Sequence, residues 1–394
     1  MANSRTKSTR TTPSAQPVVP VGNITGGVDT HKDFHVAAAK DSLGRNLGTQ
    51  KFTATAAGYP ALLAWLRVFG PVELVGIEGT GCYGAGLTTH LRTEGIEVVE
   101  VNRPNRQKRR RQGKSDVKDA IAAAAAAQSG EATAAPRPRT GPIESVRVIK
   151  ETRDMLVKAR TAAVNTLHSL IVTAPAPLRE TLTGMTHNVL IGHCADYTAP
   201  ILPVKHSRGH TRAQAVTRLT DSLLDATQTV SMMLGELARI IQHHNQRIHE
   251  LDTCLHTLVT RIAPATSGLF GVGPGRAAQL LITAGDHTDR IHSEPAFATL
   301  TGVAPQECSS GDNQDNHRLS RAGDRQANSV LYQIVLTRLA SHQPTRDYIT
   351  TRHRPGTKMT KKHLIRCLKR YLAREIYPRL MTDLTNLHKH HPTP

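Results

Sequence analysis

The sequence predicts an α/β domain at the amino end, a long helical segment in the middle and a mostly helical carboxy-terminal domain. Three observations predict it. Short apolar runs at Ile24–Asp29, His35–Ala39, Gln50–Thr55, Glu73–Ile77 and Ile96–Val101 come first as three strands, then alternate with helical spacing; this is the pattern of a mixed sheet covered by helices. Residues 213–262 carry two heptad rows in which 11 of 14 positions are apolar. Beyond Pro264 the apolar residues recur at helical spacing between glycine-rich and polar turns.

Residues 1–23 are polar, basic and without periodicity, and are expected to be a disordered tail. In the α/β domain, residues 24–128, Leu62, Leu63, Leu66 and Phe69 give Tyr59–Phe69 a helical stripe, and Gly84–Glu94 is a second helix. The alanine-rich run Ala120–Ala127 has high intrinsic helix propensity. Residues 129–263 form a linker and helical region. Ser129–Pro142 reads as the linker, helical spacing runs from about Ile149 to Val172, and residues 178–212 carry no assignable pattern. One heptad row then holds Val216, Leu223, Val230, Leu237, His244, Leu251 and Leu258; the other holds Thr220, Thr227, Leu234, Ile241, Ile248, Leu255 and Ile262. Such spacing predicts a coiled coil, either between copies of the chain or antiparallel with the helix at 149–172. The intersubunit form is favoured, giving a homodimer or homotetramer.

In the carboxy-terminal domain, residues 264–394, Leu269–Leu281 resembles a helix-hairpin-helix turn. Backbone N–H groups around Gly273 and Gly275 are candidates to hold a DNA phosphate at a helix start. Pro295–Gly302 reads as a short helix, Ala304–Ala322 as a polar loop containing Ser309-Ser310-Gly311, and Ala327–Leu339 as a helix. Lys361–Ile376 is an amphipathic helix with Leu364, Ile365, Leu368 and Leu372 on one face. Its Lys362, Arg366, Lys369 and Arg370 either contact phosphates or form a solvated surface.

Lys and Arg number 50 against 31 acids, a formal charge of +19. That favours a polyanionic partner, DNA or RNA. Aromatic residues make up only 3%, so phosphate contact rather than base stacking is the expected mode. Five scattered cysteines without a CxxC pair argue against a zinc site or a disulfide framework. The 21 histidines mostly stand singly in polar surroundings and read as surface residues. No apolar run spans a bilayer and no secretory signal is visible, so a cytoplasmic, nucleoid-associated protein is expected.

Four acids form the candidate chemical centre. Asp29 closes the first strand and Glu78 the fourth. Sites in open α/β sheets lie beyond the carboxyl ends of strands. Asp116 and Asp119 stand three apart at the start of the alanine-rich helix, on one face. There they either complement the helix dipole or bind a divalent cation. Together the four suit a two-metal site with ions about 4 Å apart clamping a phosphodiester. Immediately before them, seven of the twelve residues 103–114 are basic: Arg103, Arg106, Lys108, Arg109, Arg110, Arg111 and Lys114. That run is either a solvated charge cluster or a phosphate grip beside the acids.

These motifs resemble those of the insertion-sequence one-ten family of transposases, the DEDD serine recombinases that work with a bridge RNA. Gly27-Val28-Asp29-Thr30 with Lys32, Ile77-Glu78 with Thr80-Gly81 and Tyr83, and Lys114-Ser115-Asp116 with Asp119-Ala120 match the acid motifs. Gly271-Val272-Gly273-Pro274, Gly302-Val303-Ala304-Pro305, Ser310-Gly311, Ser320-Arg321 and Gly323 match the transposase domain. The resemblance covers roughly residues 24–128 and 264–378. It implies a RuvC-like, RNase H-type amino-terminal domain. It also implies Mg²⁺ (with Mn²⁺ as the alternative) bound by Asp29, Glu78, Asp116 and Asp119, Ser310 as nucleophile, and a bridge RNA that selects donor and target DNA. A water-using, metal-dependent structure-specific endonuclease is the alternative built on the same acids.

Overall fold

The structure, a computed structural model, describes residues 19–101, 115–136, 141–197, 223, 225–285, 291–308, 317–319, 323–353 and 360–390. The chain forms two compact units, Met1–Arg139 and Thr140–Pro394.

In the first unit β1 (Ile24–Thr30), β2 (Phe34–Lys40), β3 (Asn46–Thr53), α1 (Gly58–Arg67), β4 (Val72–Glu78), α2 (Ala85–Thr93), β5 (Glu97–Val101) and α3 (Asp116–Gln128) follow in that order. The sheet runs β3-β2-β1-β4-β5. The first three strands are antiparallel, and β4 and β5 lie parallel to β1. A mixed sheet backed by helices in this way is consistent with an RNase H-like domain.

Strand alternation sorts the two faces. Ile24, Val28, Ala37, Ala39, Val75 and Ile77 face α1 and α2, where Leu62, Leu63, Leu66, Leu87 and Leu91 complete the core. The intervening positions of β1 and β4 face α3. There the strands carry glycine and the helix carries alanine: Ala120, Ala123, Ala124 and Ala127 are buried. A Cβ on Gly27 would stand 2.1 Å from the Ala124 nitrogen and 2.2 Å from the Ala120 oxygen; one on Gly76 would stand 2.6 Å from the Ala123 oxygen. Helix backbone therefore rests on strand backbone. At the far end of α3, Gln128 donates to the Asp41 carbonyl at 2.7 Å, fixing the helix to the turn after β2.

The second unit opens with α4 (Gly141–Thr173), α5 (Ala176–Leu182), α6 (His187–Ala195) and α7 (Ala226–Ile262). Arg153 pairs with Asp252, and Arg160 donates to Asn245 at 3.0 Å, so α4 and α7 run antiparallel. Leu234, Ile241, Ile248 and Leu255 of one heptad row are buried. Val230 and Leu237 of the other pack against the cluster of α4, α5 and α6, and Leu258 against the carboxy-terminal core. Within the chain the partner of this helix is thus α4, in the antiparallel arrangement. Val216 and Thr220 lie outside the described residues.

After α8 (Pro264–Ser267) come α9 (Gly273–Ala284), α10 (Glu294–Leu300), β6 (Pro305–Glu307), β7 (His317–Leu319), α11 (Arg325–Ser341), α12 (Gln343–Arg352) and α13 (Lys361–His390). Leu280, Leu281, Phe297, Leu331, Ile334, Leu372 and Ile376 share their core. Among the described residues no helix is long and apolar enough to cross a membrane.

The close approach of α3 yields a stability prediction. Trp65, the chain's single tryptophan, packs against Phe52 and Phe69, so its fluorescence reports the first unit. Gly27→Ala is expected to lower the urea-unfolding free energy read by Trp65 by about 3 kcal/mol, the upper end for overpacking. Gly48→Ala, whose Cβ would stand 3.4 Å from Phe69, is expected to change it by less than about 1 kcal/mol. Equal effects of the two would contradict the backbone contact.

Candidate active site

Asp29 and Glu78 are register partners at the carboxyl ends of β1 and β4. Both follow the face of Gly27 and Gly76, toward α3. Thr30 Oγ1 donates to the Glu78 carbonyl at 2.7 Å, tying the two strand ends together. The chain leaves β4 through Gly79 at φ +79°, left-handed backbone that a side chain would strain.

The start of α3 is fixed by Ser115, extended at φ −154° and accepting from the Lys118 N–H at 3.3 Å. This cap places Asp116 and Asp119 in the first turn, and Asp119 is buried. Burial pushes the Asp29 carboxyl above its usual value; His31 beside it pulls it down, and the charges of Asp119 and Asp116 push it up again. Three acids from β1 and α3 are therefore close enough to oppose one another's ionisation.

His31 completes the cluster. Its Nε2 lies 3.2 Å from an Asp29 carboxylate oxygen and 3.5 Å from one of Asp116. That nitrogen is buried and short of full hydrogen-bond geometry, although its contact with Asp29 still helps hold that carboxyl down. One donor atom each from Asp29, His31 and Asp116 lies within 4.8 Å of the others. A desolvated carboxylate, repelling neighbours and an unsatisfied ring nitrogen around one point fit a divalent cation. Asp29 and Asp116 enter this cluster, Asp119 feels it electrostatically, and Glu78 stands one strand away.

Two histidines depart from the surface reading. The Nε2 of His31 is buried in the cluster, and His35 is fully buried with both ring nitrogens unpartnered, stacked 5.8 Å from Tyr59. Burial pushes the His35 imidazole below its ordinary value. For His31 the available signal was its place directly after the strand that ends in Asp29 and Thr30.

Ser309, Ser310 and the basic residues Arg103, Arg106, Lys108, Arg109, Arg110, Arg111 and Lys114 lie outside the described residues. The segment carrying Ser310 leaves β6 and returns by β7, which pair antiparallel from Pro305↔Leu319 to Glu307↔His317. The base of this hairpin is held from several sides. A Cβ on Gly323 would stand 2.3 Å from the Gly302 nitrogen. Asn328 donates to the carbonyls of Thr301 and Gly302, both at 2.9 Å, and the Lys369 ammonium donates to Asn328 at 2.8 Å. Asp324 caps α11, its N–H donates to the Leu300 carbonyl at 2.7 Å, and it accepts from Thr283.

The basic residues of α13 divide. Lys362 and Arg366 are exposed. Lys369 is buried on Asn328, with its pKa lowered by burial and then by Arg366. Arg370 forms a two-pronged pair with Glu294. The glycine-rich turn leads into α9, whose first residues are open: a Cβ on Gly273 or Gly275 would meet nothing within 4 Å outside the helix's own backbone. Arg338 holds this turn, donating to the Phe270 carbonyl at 2.9 Å while paired with Glu375, whose carboxyl it keeps below the usual range.

Residues 26–174 match a family model described as a transposase, of the DEDD IS110 type, and residues 266–350 match one described as a transposase of the IS116/IS110/IS902 family. The chain is similar to an "Insertion element IS110 uncharacterized 43.6 kDa protein" of Streptomyces coelicolor, at 25% identity over 143 residues. That similarity covers 33% of this chain and 35% of the relative, so about a third of the relative's length is spanned.

Two measurements test this geometry. With its folded pKa raised, the stability tied to the Asp29 proton is complete below the ordinary carboxylate value and is lost as pH rises through the raised one. In metal-free protein, Asp29→Asn is therefore expected to raise the Trp65 urea midpoint at neutral pH and to flatten its decline with rising pH; an unchanged profile would contradict the cluster. In the second unit, Asn328→Ala leaves the Lys369 ammonium buried without its acceptor. Amide exchange across Thr301–Glu307 is expected to quicken about tenfold or more, roughly 1.4 kcal/mol of local stability.

Proposed function

Starting from the family to which this chain belongs, the IS116/IS110/IS902 transposases, we propose that it cuts and rejoins DNA strands of an insertion sequence through a covalent phosphoserine intermediate. The observation that carries this reading is the convergence of Asp29, His31 and Asp116 on one cation-sized point, with Glu78 and Asp119 beside it. The four acids Asp29, Glu78, Asp116 and Asp119 would hold Mg²⁺ or Mn²⁺. When bound, such an ion supplies charge neutralisation at the scissile phosphate.

The remaining steps fall to the chain. The Ser310 hydroxyl attacks phosphorus and loses its proton. The Ser–O–P bond forms as one ester bond of the DNA breaks, and the departing strand leaves with a free hydroxyl. The phosphodiester count is unchanged, so a hydroxyl of another strand reverses the step without an external energy source. The strands β6 and β7, which flank Ser310 in the sequence, are anchored at their base. Exposed Lys362 and Arg366, the open helix start at Gly273 and Gly275, and the basic run Arg103–Lys114 suit backbone phosphates. A charge of +19 with 3% aromatics suits a protein that leaves sequence choice to a bridge RNA. Exchange between donor and target duplexes calls for more than one copy of the chain.

The test is an adduct assay with the full chain, labelled donor DNA and guide RNA in Mg²⁺. A protein–DNA adduct resistant to denaturation is expected from the unaltered chain and from Ser309→Ala, and its loss from Ser310→Ala and Asp29→Asn. Nicking without an adduct, unaffected by Ser310→Ala, would replace this reading with a water-using endonuclease.

A further inference from the structure

We infer that His31 is a nitrogen ligand of the bound cation, so that this centre selects a first-row transition ion, Mn²⁺, over Mg²⁺. The inference rests on the divalent-metal reading above and goes beyond it, since the four acids alone make an all-oxygen site.

The geometry starts in the strand. Asp29 is the last α3-facing residue of β1, and His31 is the first residue after the strand. The His31 N–H donates to the Phe34 carbonyl at 3.0 Å, closing the turn into β2. The Phe34 ring lies 4.7 Å from the imidazole and carries the Lys51 ammonium 3.4 Å over its own centroid. The imidazole is thus held from the backbone and along its side.

Its Nε2 then meets Asp29 and Asp116 at 3.2 and 3.5 Å without hydrogen-bond geometry to either. A histidine placed to neutralise or bridge these carboxylates would aim an N–H at one of them. Donor atoms of a shared ion are arranged differently. With metal–ligand distances of about 2.1 Å, neighbouring ligands stand about 3.0 Å apart at right angles and about 3.4 Å apart in a tetrahedron. Both observed separations fall near that interval.

The donor set decides the ion. Mg²⁺ takes hard oxygens, holds its waters and gains little from imidazole. Imidazole suits first-row transition ions, and carboxylates suit Mn²⁺ as well. A centre of carboxylates with one imidazole therefore ranks Mn²⁺ above Mg²⁺.

The experiment uses the metal-stripped full chain with Mn²⁺ and Mg²⁺ as probes. Pulsed electron paramagnetic resonance of the Mn²⁺-loaded protein is expected to show coupling to one imidazole nitrogen, lost in His31→Gln. Calorimetry is expected to give tighter binding of Mn²⁺ than of Mg²⁺. His31→Gln should weaken Mn²⁺ binding at least tenfold, since even outer partners of metal ligands cost 10–100-fold, and change Mg²⁺ binding only a few-fold. Mn²⁺ bound without nitrogen coupling, or coupling that survives His31→Gln, would overturn the role of His31 and leave the acid site standing. No binding of either ion, with Asp29→Asn indistinguishable from the unaltered chain, would overturn the metal reading itself. The nitrogen signal of the unaltered protein needs no variant to fold.

Discussion

The candidate centre depends on two backbones touching. Gly27 and Gly76 leave the middle of β1 and β4 without side chains on one face, and the alanines of α3 settle onto the exposed peptide groups. Glycine inside a strand costs roughly 0.5–1 kcal/mol of propensity relative to alanine. That cost is offset by dispersion across a contact no larger residue would permit. The contact also sets a coordinate system. With the helix seated at Ala120 and Ala124, and started by the Ser115 cap, its first turn lies at the level where β1 and β4 end. Asp29, Asp116 and Asp119 come together because three independent local rules, strand alternation, helix capping and glycine–alanine packing, converge on one level.

The second unit uses buried polar groups for a comparable purpose. Lys369 on Asn328, Arg338 on Glu375, and Asp383 accepting from the backbone of Ala265 and Thr266 each join α13 or α11 to a loop. Buried charge is weak evidence for stability, because desolvation cancels much of the attraction. Its use here is positional. Each group fixes a carbonyl or N–H belonging to a turn: Thr301 and Gly302 at the hairpin base, Phe270 at the glycine-rich turn, and the first turn of α8. Apolar packing cannot hold a turn in this way, since turns expose peptide groups that need directed partners.

Much of this was readable from the residues. The strands at β1, β2, β4 and β5, the helices α1 and α2 and the positions of the four acids follow from apolar runs, helical stripes and an Asp or Glu at each strand end. Four features were not. A heptad row says that α7 needs an apolar neighbour but carries no information on which one; the crossing pairs Arg153–Asp252 and Arg160–Asn245 identify it as α4. Amphipathic spacing placed Lys369 with the phosphate-facing residues, yet one lysine near an apolar stripe can turn inward when a carbonyl oxygen such as that of Asn328 waits there. Isolated histidines have no period at all, so both read as surface until the fold buried His35 and set the His31 Nε2 beside the acids. Short α5 and α6 escaped for a related reason, since seven and nine residues are too few to display a helical period.

The charge pattern ties these threads together. Protein with 50 basic residues against 31 acids has ample cations, yet among the described residues no Lys or Arg forms an ion pair with Asp29 or Asp116, and the side chain set between them is a histidine. A lysine or arginine there would satisfy the carboxylates and stabilise the metal-free fold, and would also fill the point where a divalent ion fits. Imidazole offers a lone pair instead of a fixed charge. The arrangement leaves the carboxylates opposing one another's ionisation, which would lower the stability of the metal-free fold and raise the free energy gained on binding a divalent cation under the proposed reading. Stability withheld from the metal-free sheet end is thereby available as affinity, a common trade at functional sites.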